Sequence, residues 1–420
     1  MRLQLWSYNY EPEPQGIAPM STMLARGLAA RGNDVTVVAA HPHYPEPAWG
    51  VRVRPYRERR DGIPVLRLPL WAGRDSGVAR IRQELSFLAA QTAVAPLLPR
   101  PDALVAVTPS FPALAAAMGF ARARRVPLVI WLQDILPDGA VTTGLLKPGR
   151  LLDALFAFER AAYDTADRVV VISEAFRRNL LDKGVSDPKL ERIFNPSSRQ
   201  PETAIDVDAL ATAPPKVLAM GNIGHTQGLD RIVDAFQADP RLAAFDARLV
   251  IAGHGVAADE VRARITAPRV SMPGVLYGAE LEPELRSASL GLVSQRADVL
   301  EFNLPSKLMT YMAYGIPVLA SVRPDSETAN IVRESGAGWV TNAAEPAQFA
   351  ERAAAVIRDT DALRSASAAG FAYAREHFTP RAVAKQFEQV LRGVAGHGGR
   401  QRVSRGRGVA PRSAVRPSRK

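Results

Sequence analysis

Short apolar runs of strand length alternate with segments whose apolar residues recur every three or four positions. The strand-like runs are Leu3–Ser7, Val35–Ala39, Ala103–Val107 and Leu128–Leu132, with helical spacing near Ser21–Ala30 and Ala113–Ala123. A long helix is predicted around Leu151–Ala166, then a strand at Val169–Ile172 and a helix over Phe176–Lys183. Strands alternating with helices in this way predict a parallel sheet covered on both faces. Residues 196–215, rich in Pro, Ser, Thr and Ala, break the rhythm and read as a linker. The alternation then restarts with strands at Lys216–Met220, Ala247–Ala252, Val275–Tyr277 and Gly291–Ser294, separated by helices at Asp230–Ala238, Asp259–Ile265 and Glu282–Ser287. Helices around Ala347–Arg358, Ala362–Glu376 and Arg381–Gly393 close the pattern.

The most informative stretch is Phe302–Ala320, a polar loop, a helix and a buried strand in quick succession. Pro305 and Ser306 suit a helix start, Met309, Met312 and Ala313 keep helical spacing, and Gly315 ends the helix before Pro-Val-Leu-Ala restarts as strand. Lys307 then falls in the first turn. A cation beside free backbone N–H groups at a helix N-terminus suits a phosphate, although an ordinary solvated lysine fits the same pattern.

Glycine turns follow the first strand of each half, Gln15-Gly16-Ile17-Ala18-Pro19 and Gly221-Asn222-Ile223-Gly224-His225-Thr226-Gln227-Gly228. Ligands gather at such carboxyl ends of strands, but tight turns also need glycine for geometry alone. Neither turn has the dinucleotide-binding or P-loop spacing, which removes most support for a dehydrogenase or a P-loop kinase. Among the carboxylates, Asp134 ends an apolar strand and Asp138 follows after a proline, both placed to take a proton or bind sugar hydroxyls. Asp138 is equally suited to a helix N-cap. Glu301, just before the Leu304-Pro305-Ser306-Lys307 turn, is a candidate hydrogen-bond acceptor for a sugar.

Length and charge narrow the partners. A chain of 420 residues exceeds what one core usually supports, so two domains are expected. No apolar run reaches the ~20 residues that span a bilayer, and the chain opens directly as a strand without a charged leader, so a cytoplasmic protein is expected. With no cysteine and six scattered histidines, metal dependence and metal cofactors are not expected. The net charge of +11 is concentrated: eight cations and no acid lie between Gly396 and Lys420, and removing them leaves +3. That tail reads as disordered. A second basic stretch, Arg52–Arg82, carries nine arginines against Glu58, Asp61 and Asp75. Neither patch interleaves aromatics as nucleic-acid binders do, so no specific nucleic acid is expected. An anionic membrane surface suits segments 52–82 and 400–420 better, at about 1 kcal/mol per cation. In the adjoining helical segment, Leu85, Leu88 and Ala89 share one face, a stripe that core packing explains better than lipid contact.

Taken together, Tyr8–Ile17, Gln133–Asp138, Ala166–Ser173, Gly221–Gly224 with Gln227-Gly228-Leu229, and Leu304–Leu308 resemble the glycosyltransferases of the GT-B architecture, close to family 4. Within that family the likeness is strongest to bacterial transferases of surface-polysaccharide assembly, of the colanic-acid and O-antigen fucosamine types. It runs from about Met1 to Gly393. The resemblance implies an α/β fold with two Rossmann-like, doubly wound domains facing across a cleft. The expected divisions are 1–195 on the acceptor side, a linker at 196–215, a nucleotide-sugar domain at 216–375, a helix at 376–393 packing back on the N-terminal domain, and a tail at 394–420.

The resemblance also implies roles. Gly16 would face the donor phosphates, and Gly221, Asn222, Gly224, Gln227 and Gly228 would shape the opposing loop. Leu304, Pro305, Ser306 and Lys307 would hold the diphosphate, with Lys307 replacing a metal against leaving-group charge. Leu276 and Tyr277, at a strand end, would lie near the base. Asp134 or Asp138 would orient the acceptor. The chain departs from the family pattern at Asn222 and Gln227, where Arg and Lys are common, at Thr310, where a second glutamate is common, and at Gln133, where a histidine is common. Arg296 is a candidate replacement cation. The implied activity is retaining transfer from a nucleotide sugar, a UDP-sugar by expectation, to a lipid-linked or oligosaccharide acceptor at the inner membrane face. A nucleotide-sugar epimerase of the same fold and a non-catalytic nucleotide-sugar binder are the alternatives.

Overall fold

The computed structural model describes residues 1–44, 53–73, 76–108, 110–135, 138, 149–197, 199–299 and 304–404, with backbone alone from 397. Residues 1–21, 28–169 and the chain from 386 form one unit, and 22–27 with 170–385 form the other.

The first sheet contains β1 (Arg2–Ser7), β2 (Asp34–Ala40), β3 (Tyr56–Arg60), β4 (Ile63–Leu68), β5 (Ala103–Val107), β6 (Leu128–Leu132), β7 (Arg168–Val171) and β8 (Leu190–Arg192), in the order β3-β4-β2-β1-β5-β6-β7-β8. β1 pairs in parallel with β2 on one side and β5 on the other, so the chain reverses its direction of travel across the sheet at β1. Every residue of β5 and β6 is buried, which is why both read as unbroken apolar runs and not as alternating strands.

The second sheet contains β9 (Lys216–Asn222), β10 (Arg248–His254), β11 (Val270–Gly274), β12 (Leu290–Ser294), β13 (Val318–Val322) and β14 (Gly338–Asn342), in the order β11-β10-β9-β12-β13-β14. Each neighbouring pair is parallel. The reversal here falls between β9 and β12. In sheets of this kind the carboxyl ends beside the reversal form the crevice that ligands use.

Several expectations need correction. The strand expected at Val275–Tyr277 is instead β11, Val270–Gly274. β11 contains Pro273 and lies at the sheet edge, where the missing proline N–H costs no ladder bond. Within the basic stretch at 52–82, residues 56–68 fold as an antiparallel hairpin, β3 against β4, and residues from 77 on open the next helix. Arg67, in β4, is fully buried and donates to Glu58 at 2.9 Å, to the Ala40 carbonyl at 3.0 Å and to the Glu11 carbonyl, so it is unavailable to an outside anion. The stripe expected in the core is also reversed. In α2 (Gly77–Val94) the buried residues are Ala79, Gln83, Phe87 and Gln91, while Leu85 and Ala89 are exposed. Residues 196–215 carry a short helix, Val207–Leu210, capped by Asp206, and Ile205 and Val207 are buried in the second core.

The terminal helix begins at Pro380 and continues past Gly393 to Ser404; the rest of the tail lies outside the described residues. Within the first unit Phe387 meets the Trp131 ring edge-on at 5.0 Å. Glu388, the next residue, accepts from Arg31 at 2.7 Å, Asn33 at 3.1 Å and Arg392 at 2.9 Å. Burial by itself would raise the Glu388 pKa, but these hydrogen bonds and the Arg31 charge outweigh it and bring the carboxyl from its ordinary 4.5 to about 2. A depressed carboxyl contributes stability that is complete above pH 4.5 and lost as pH falls toward 2, at ~1.4 kcal/mol per unit. Glu388→Gln is therefore expected to remove about 3 kcal/mol at neutral pH. Urea melts at pH 7 and pH 3 should show the parent converging on the variant in acid.

Candidate functional site

Two short segments meet beside the second sheet's reversal point. β9 ends in Gly221-Asn222, a 3-10 turn covers His225–Gln227, and Gly228 opens the helix Leu229–Ala238. After β12 the chain returns at Leu304 and Pro305 and enters the helix Ser306–Ala313. Pro305 is extended at the cap, no side chain caps that end, and Leu304 packs on the core. The expected helix start, its first-turn lysine and the Gly315 stop, at φ +65°, are all in place.

Lys307 extends from the first turn to the β9 loop. Its Nζ donates to Gln227 Oε1 at 3.0 Å, and its Cε passes Gly221 at ordinary contact range, 3.9 Å from where a β-carbon there would lie. Gly221 adopts φ +101°, which L side chains rarely tolerate. The lysine keeps partial solvent contact, but burial around its ammonium pushes the pKa down to about 8. Among the described residues no carboxylate contributes to that shift. The charge is thus held by a neutral amide, in a setting where an arriving anion would gain more than it would in water. Ser306 is exposed beside it, and its carbonyl accepts from Thr310 Oγ1 at 3.1 Å.

Arg296 joins the same group. Its backbone N–H donates to the Thr226 carbonyl at 2.8 Å, and Gly228, at φ +61°, leaves room for its side chain, since a β-carbon there would come 3.1 Å from Arg296 Cγ. The guanidinium is paired with Asp298 at 3.1 and 3.2 Å, so it is an engaged cation and not a spare one. The structure therefore brings together Gly221, Gln227, Gly228, Arg296 and Lys307. Asn222 turns toward Gly224 and Gly255. Leu276 and the 74% exposed Tyr277 lie in the loop after β11, beyond β10. Glu301 lies outside the described residues.

Sequence reasoning overlooked what holds these segments. Tyr311 is fully buried; its hydroxyl donates to the Leu218 carbonyl at 2.8 Å and accepts from Met220 N–H at 3.1 Å, tying the lysine's helix to β9. Gly291 lies against the Tyr311 ring, where a β-carbon would come within 2.5 Å. At the end of β10 a β-carbon on Gly253 would fall 1.8 Å from the Gly221 carbonyl oxygen, and one on Gly255 2.4 Å from that of Ile223. The run Ala252-Gly-His-Gly was the available signal, since spaced glycines at a strand end mark close backbone approach.

In the first unit the turn after β1 leads into α1 (Ala18–Ala30), with Gly16 exposed at φ +65°. The preceding loop is organised by Glu13, which the sequence had not singled out. Its buried carboxylate accepts from Asn9 Nδ2 at 3.1 Å and from the backbone N–H groups of Tyr10, His43 and Tyr44 at 3.2, 3.0 and 2.9 Å. Asp134 follows β6; crowding by protein raises its pKa, and the Ile135 N–H partly offsets this. The residue is nonetheless exposed, which limits that rise. Asp138 is half-buried and close enough to Tyr163 for its charge to act on that phenol, a role not foreseen from sequence.

The arrangement has known counterparts. Residues 15–196 match the model of the glycosyl transferase 4-like domain, and residues 214–359 that of the glycosyl transferases group 1. WcaI of Escherichia coli strain K12, assigned as a colanic acid biosynthesis glycosyl transferase, is 27% identical over 418 residues, covering 94% of this chain and 100% of that protein. Sucrose-phosphate synthase from Thermosynechococcus elongatus has the same fold at a TM-score of 0.66 and 17% identity, over 94% of this chain and 100% of that one. Anabaena HepE, solved in complex with UDP and glucose, matches at 0.59 and 17% over the same shares. The chain belongs to the family-4-like glycosyltransferases of the GT-B fold.

Proposed function

We propose that this glycosyltransferase moves a sugar from a UDP-sugar to a lipid-linked or polysaccharide acceptor in cell-surface glycan synthesis, at the inner face of the membrane and with retained configuration. The observation that carries the reading is Lys307: a first-turn ammonium beside an uncapped helix end, at the reversal point of a parallel sheet, held only by a neutral amide among the described residues. That combination suits a diphosphate better than it suits a core lysine, which would be expected to have a carboxylate partner. The WcaI likeness supports surface-glycan synthesis, and the HepE complexes support uridine as the base.

In this reading the bond between the anomeric carbon and the β-phosphate oxygen breaks as an acceptor hydroxyl attacks from the same face. Its proton passes to the departing phosphate. Lys307 and the N–H groups of the first turn of Ser306–Ala313 take up the charge that develops on that phosphate, the part a divalent ion plays elsewhere. Gly221 and Gly228, at positive φ, let the opposing loop turn beside Lys307 and Arg296, and Asp134 or Asp138 orients the acceptor.

Lys307→Ala is expected to lower turnover at least a hundredfold, the ~3 kcal/mol scale of one lost transition-state stabiliser. Release of UDP from UDP-sugar in the presence of a lipid-phosphate sugar measures this, and activity within threefold of the parent would reject the assignment. Such release should survive EDTA. Isomerised free nucleotide sugar would instead indicate an epimerase, and tight binding without turnover a non-catalytic relative.

The pH dependence has a definite sign. An anion binds the charged ammonium, so affinity for UDP should be level below pH 8 and should fall as pH rises past it, by up to about tenfold per unit. Titration calorimetry from pH 7 to 9.5 checks this, and Lys307→Met should flatten the profile. A thermal-shift comparison of UDP-, GDP- and dTDP-sugars identifies the base, since only a ligand of the folded state raises the melting point.

A further inference from the structure

The segment that follows β8 is pinned at both ends. Ser197 donates its backbone N–H to the Phe378 carbonyl at 2.7 Å, and further on Ile205 donates to the Tyr314 carbonyl at 2.8 Å while Arg286 holds the Thr203 carbonyl at 2.8 Å. Residue 315 must be glycine for this seat, since a β-carbon there would come within 2.7 Å of that of Ala204. Between the two anchors residues 199–202 stand off from the helices beside them, with Pro201 stiffening the arch. A cavity of about 440 Å³ is left. Its apolar lining is Phe371, Phe378, Ala313 and Ala374, and its charged lining is Arg199, Arg375 and Arg381 against one acid, Glu202. Arg375 and Arg381 come from different helices, Thr360–His377 and Pro380–Ser404. Thr379 fixes the turn between them, its hydroxyl donating to the Arg375 carbonyl at 3.0 Å and accepting from Ala382 N–H at 3.2 Å. Arg375 lies over the Phe371 ring at 5.5 Å, and Arg199 is close enough to Tyr314 and Glu282 for its charge to act on both. Among the described residues no carboxylate pairs with Arg375 or Arg381.

We propose that this cavity is a second ligand site, for a sugar phosphate of monosaccharide size. Single arginines on a surface are ordinary. Three that line one concavity, two of them without a carboxylate, suit a phosphate, which each guanidinium can meet with a pair of parallel N–H groups. The volume falls within the range of small-molecule sites, and so does the mixture of apolar wall and few polar groups. Inorganic phosphate would leave most of that space empty, whereas a sugar ring would fill it against the phenylalanine and alanine side chains. Glu202 and Gln200, also in the lining, supply an acceptor and an amide for its hydroxyls. The site is separate from the donor side. Lys307 lies in the first turn of Ser306–Ala313, and the cavity meets that helix at its last residue, about 9 Å further along at 1.5 Å per residue. Because Arg199 also acts on Tyr314, just past the end of this helix, an occupant would bear on the element that carries Lys307, as a regulator would. The inference adds a ligand to the proposed activity and does not rest on the donor-site reading.

The test is titration calorimetry of the full chain with glucose 6-phosphate and ribose 5-phosphate, with glucose and inorganic phosphate as controls, on the parent and on the Arg375→Ala/Arg381→Ala double variant. Saturating UDP keeps the probes out of the donor site, and the same titration on Lys307→Met reads the cavity if UDP does not bind. One of the two sugar phosphates should bind the parent with a Kd below about 1 mM, and at least tenfold more tightly than either control. The double variant should lose at least tenfold of that affinity. A Kd above about 1 mM for both sugar phosphates, or binding by the variant within threefold of the parent, would overturn the proposal and leave the arginines as a solvated surface. So would binding that UDP displaces and Lys307→Met abolishes, which would put the probe on the donor side. Should the double variant melt early, Arg381→Gln, at an exposed position, supplies the same comparison. UDP affinity, followed separately, should be unchanged in the arginine variants, so that failure here leaves the donor-site reading standing and the reverse.

Discussion

A lysine ammonium drawn in among protein atoms and given an amide oxygen instead of a carboxylate is the constraint on which the second unit turns. Desolvation of the Lys307 charge is unfavourable, and one neutral hydrogen bond to Gln227 offsets only part of that cost. Its depressed pKa records what remains. A carboxylate partner would stabilise the empty protein and would compete with any anion for the site. In the proposed reading, leaving the charge poorly neutralised keeps it available to a diphosphate, and the surrounding fold has to supply the missing stability.

It does so through backbone close approach. The helix that carries the lysine is tied to β9 by the Tyr311 hydroxyl, which bridges a carbonyl and an N–H of that strand. Tyr311 can lie flat there because residue 291 has no β-carbon, and β9 can turn at Gly221 because residue 253 has none either. These glycines are read best as packing requirements that converge on one loop. The Glu13 carboxylate plays a comparable part in the first unit, gathering three backbone N–H groups and Asn9 into a fixed turn ahead of Gly16. In both units a strand end is held rigid so that the adjacent helix terminus keeps its place, as a binding site built on backbone dipoles demands.

The departures from the family pattern acquire a physical meaning in this setting. Gln227, a departure by the resemblance noted from the sequence, is the residue that holds Lys307. A second cation there would repel the first, so one amide in its place lets a single lysine approach the loop closely. Arg296, the candidate replacement, is neutralised by Asp298 and serves more to wall the turn at Gly228 than to bring free charge.

Local order was legible along the chain wherever periodicity and capping agree. The helix start at Pro305-Ser306, the stop at Gly315, the apolar runs of β5 and β6 and the turn glycines at 221 and 228 are short-range features, written in neighbouring residues. Where composition masked pattern, reading failed: Tyr-Arg-Glu-Arg-Arg looked like a charge cluster and is strand β3, and Val-Ser-Met-Pro-Gly is an edge strand, β11, whose tolerance for proline depends on having no neighbour beyond it. Which face of α2 is buried was likewise undecidable from spacing, because Gln83 can be satisfied inside only if Tyr8 and Gly73 stand opposite it. Most of the elements and their order, and the residue types of the candidate site, were thus legible in the sequence alone. Tertiary structure decided that Lys307, Gln227 and Gly221 meet, since the pairing of β9 with β12 brings together a turn and a helix whose contacting residues lie 80 positions apart, and no local signal encodes the partner across the sheet.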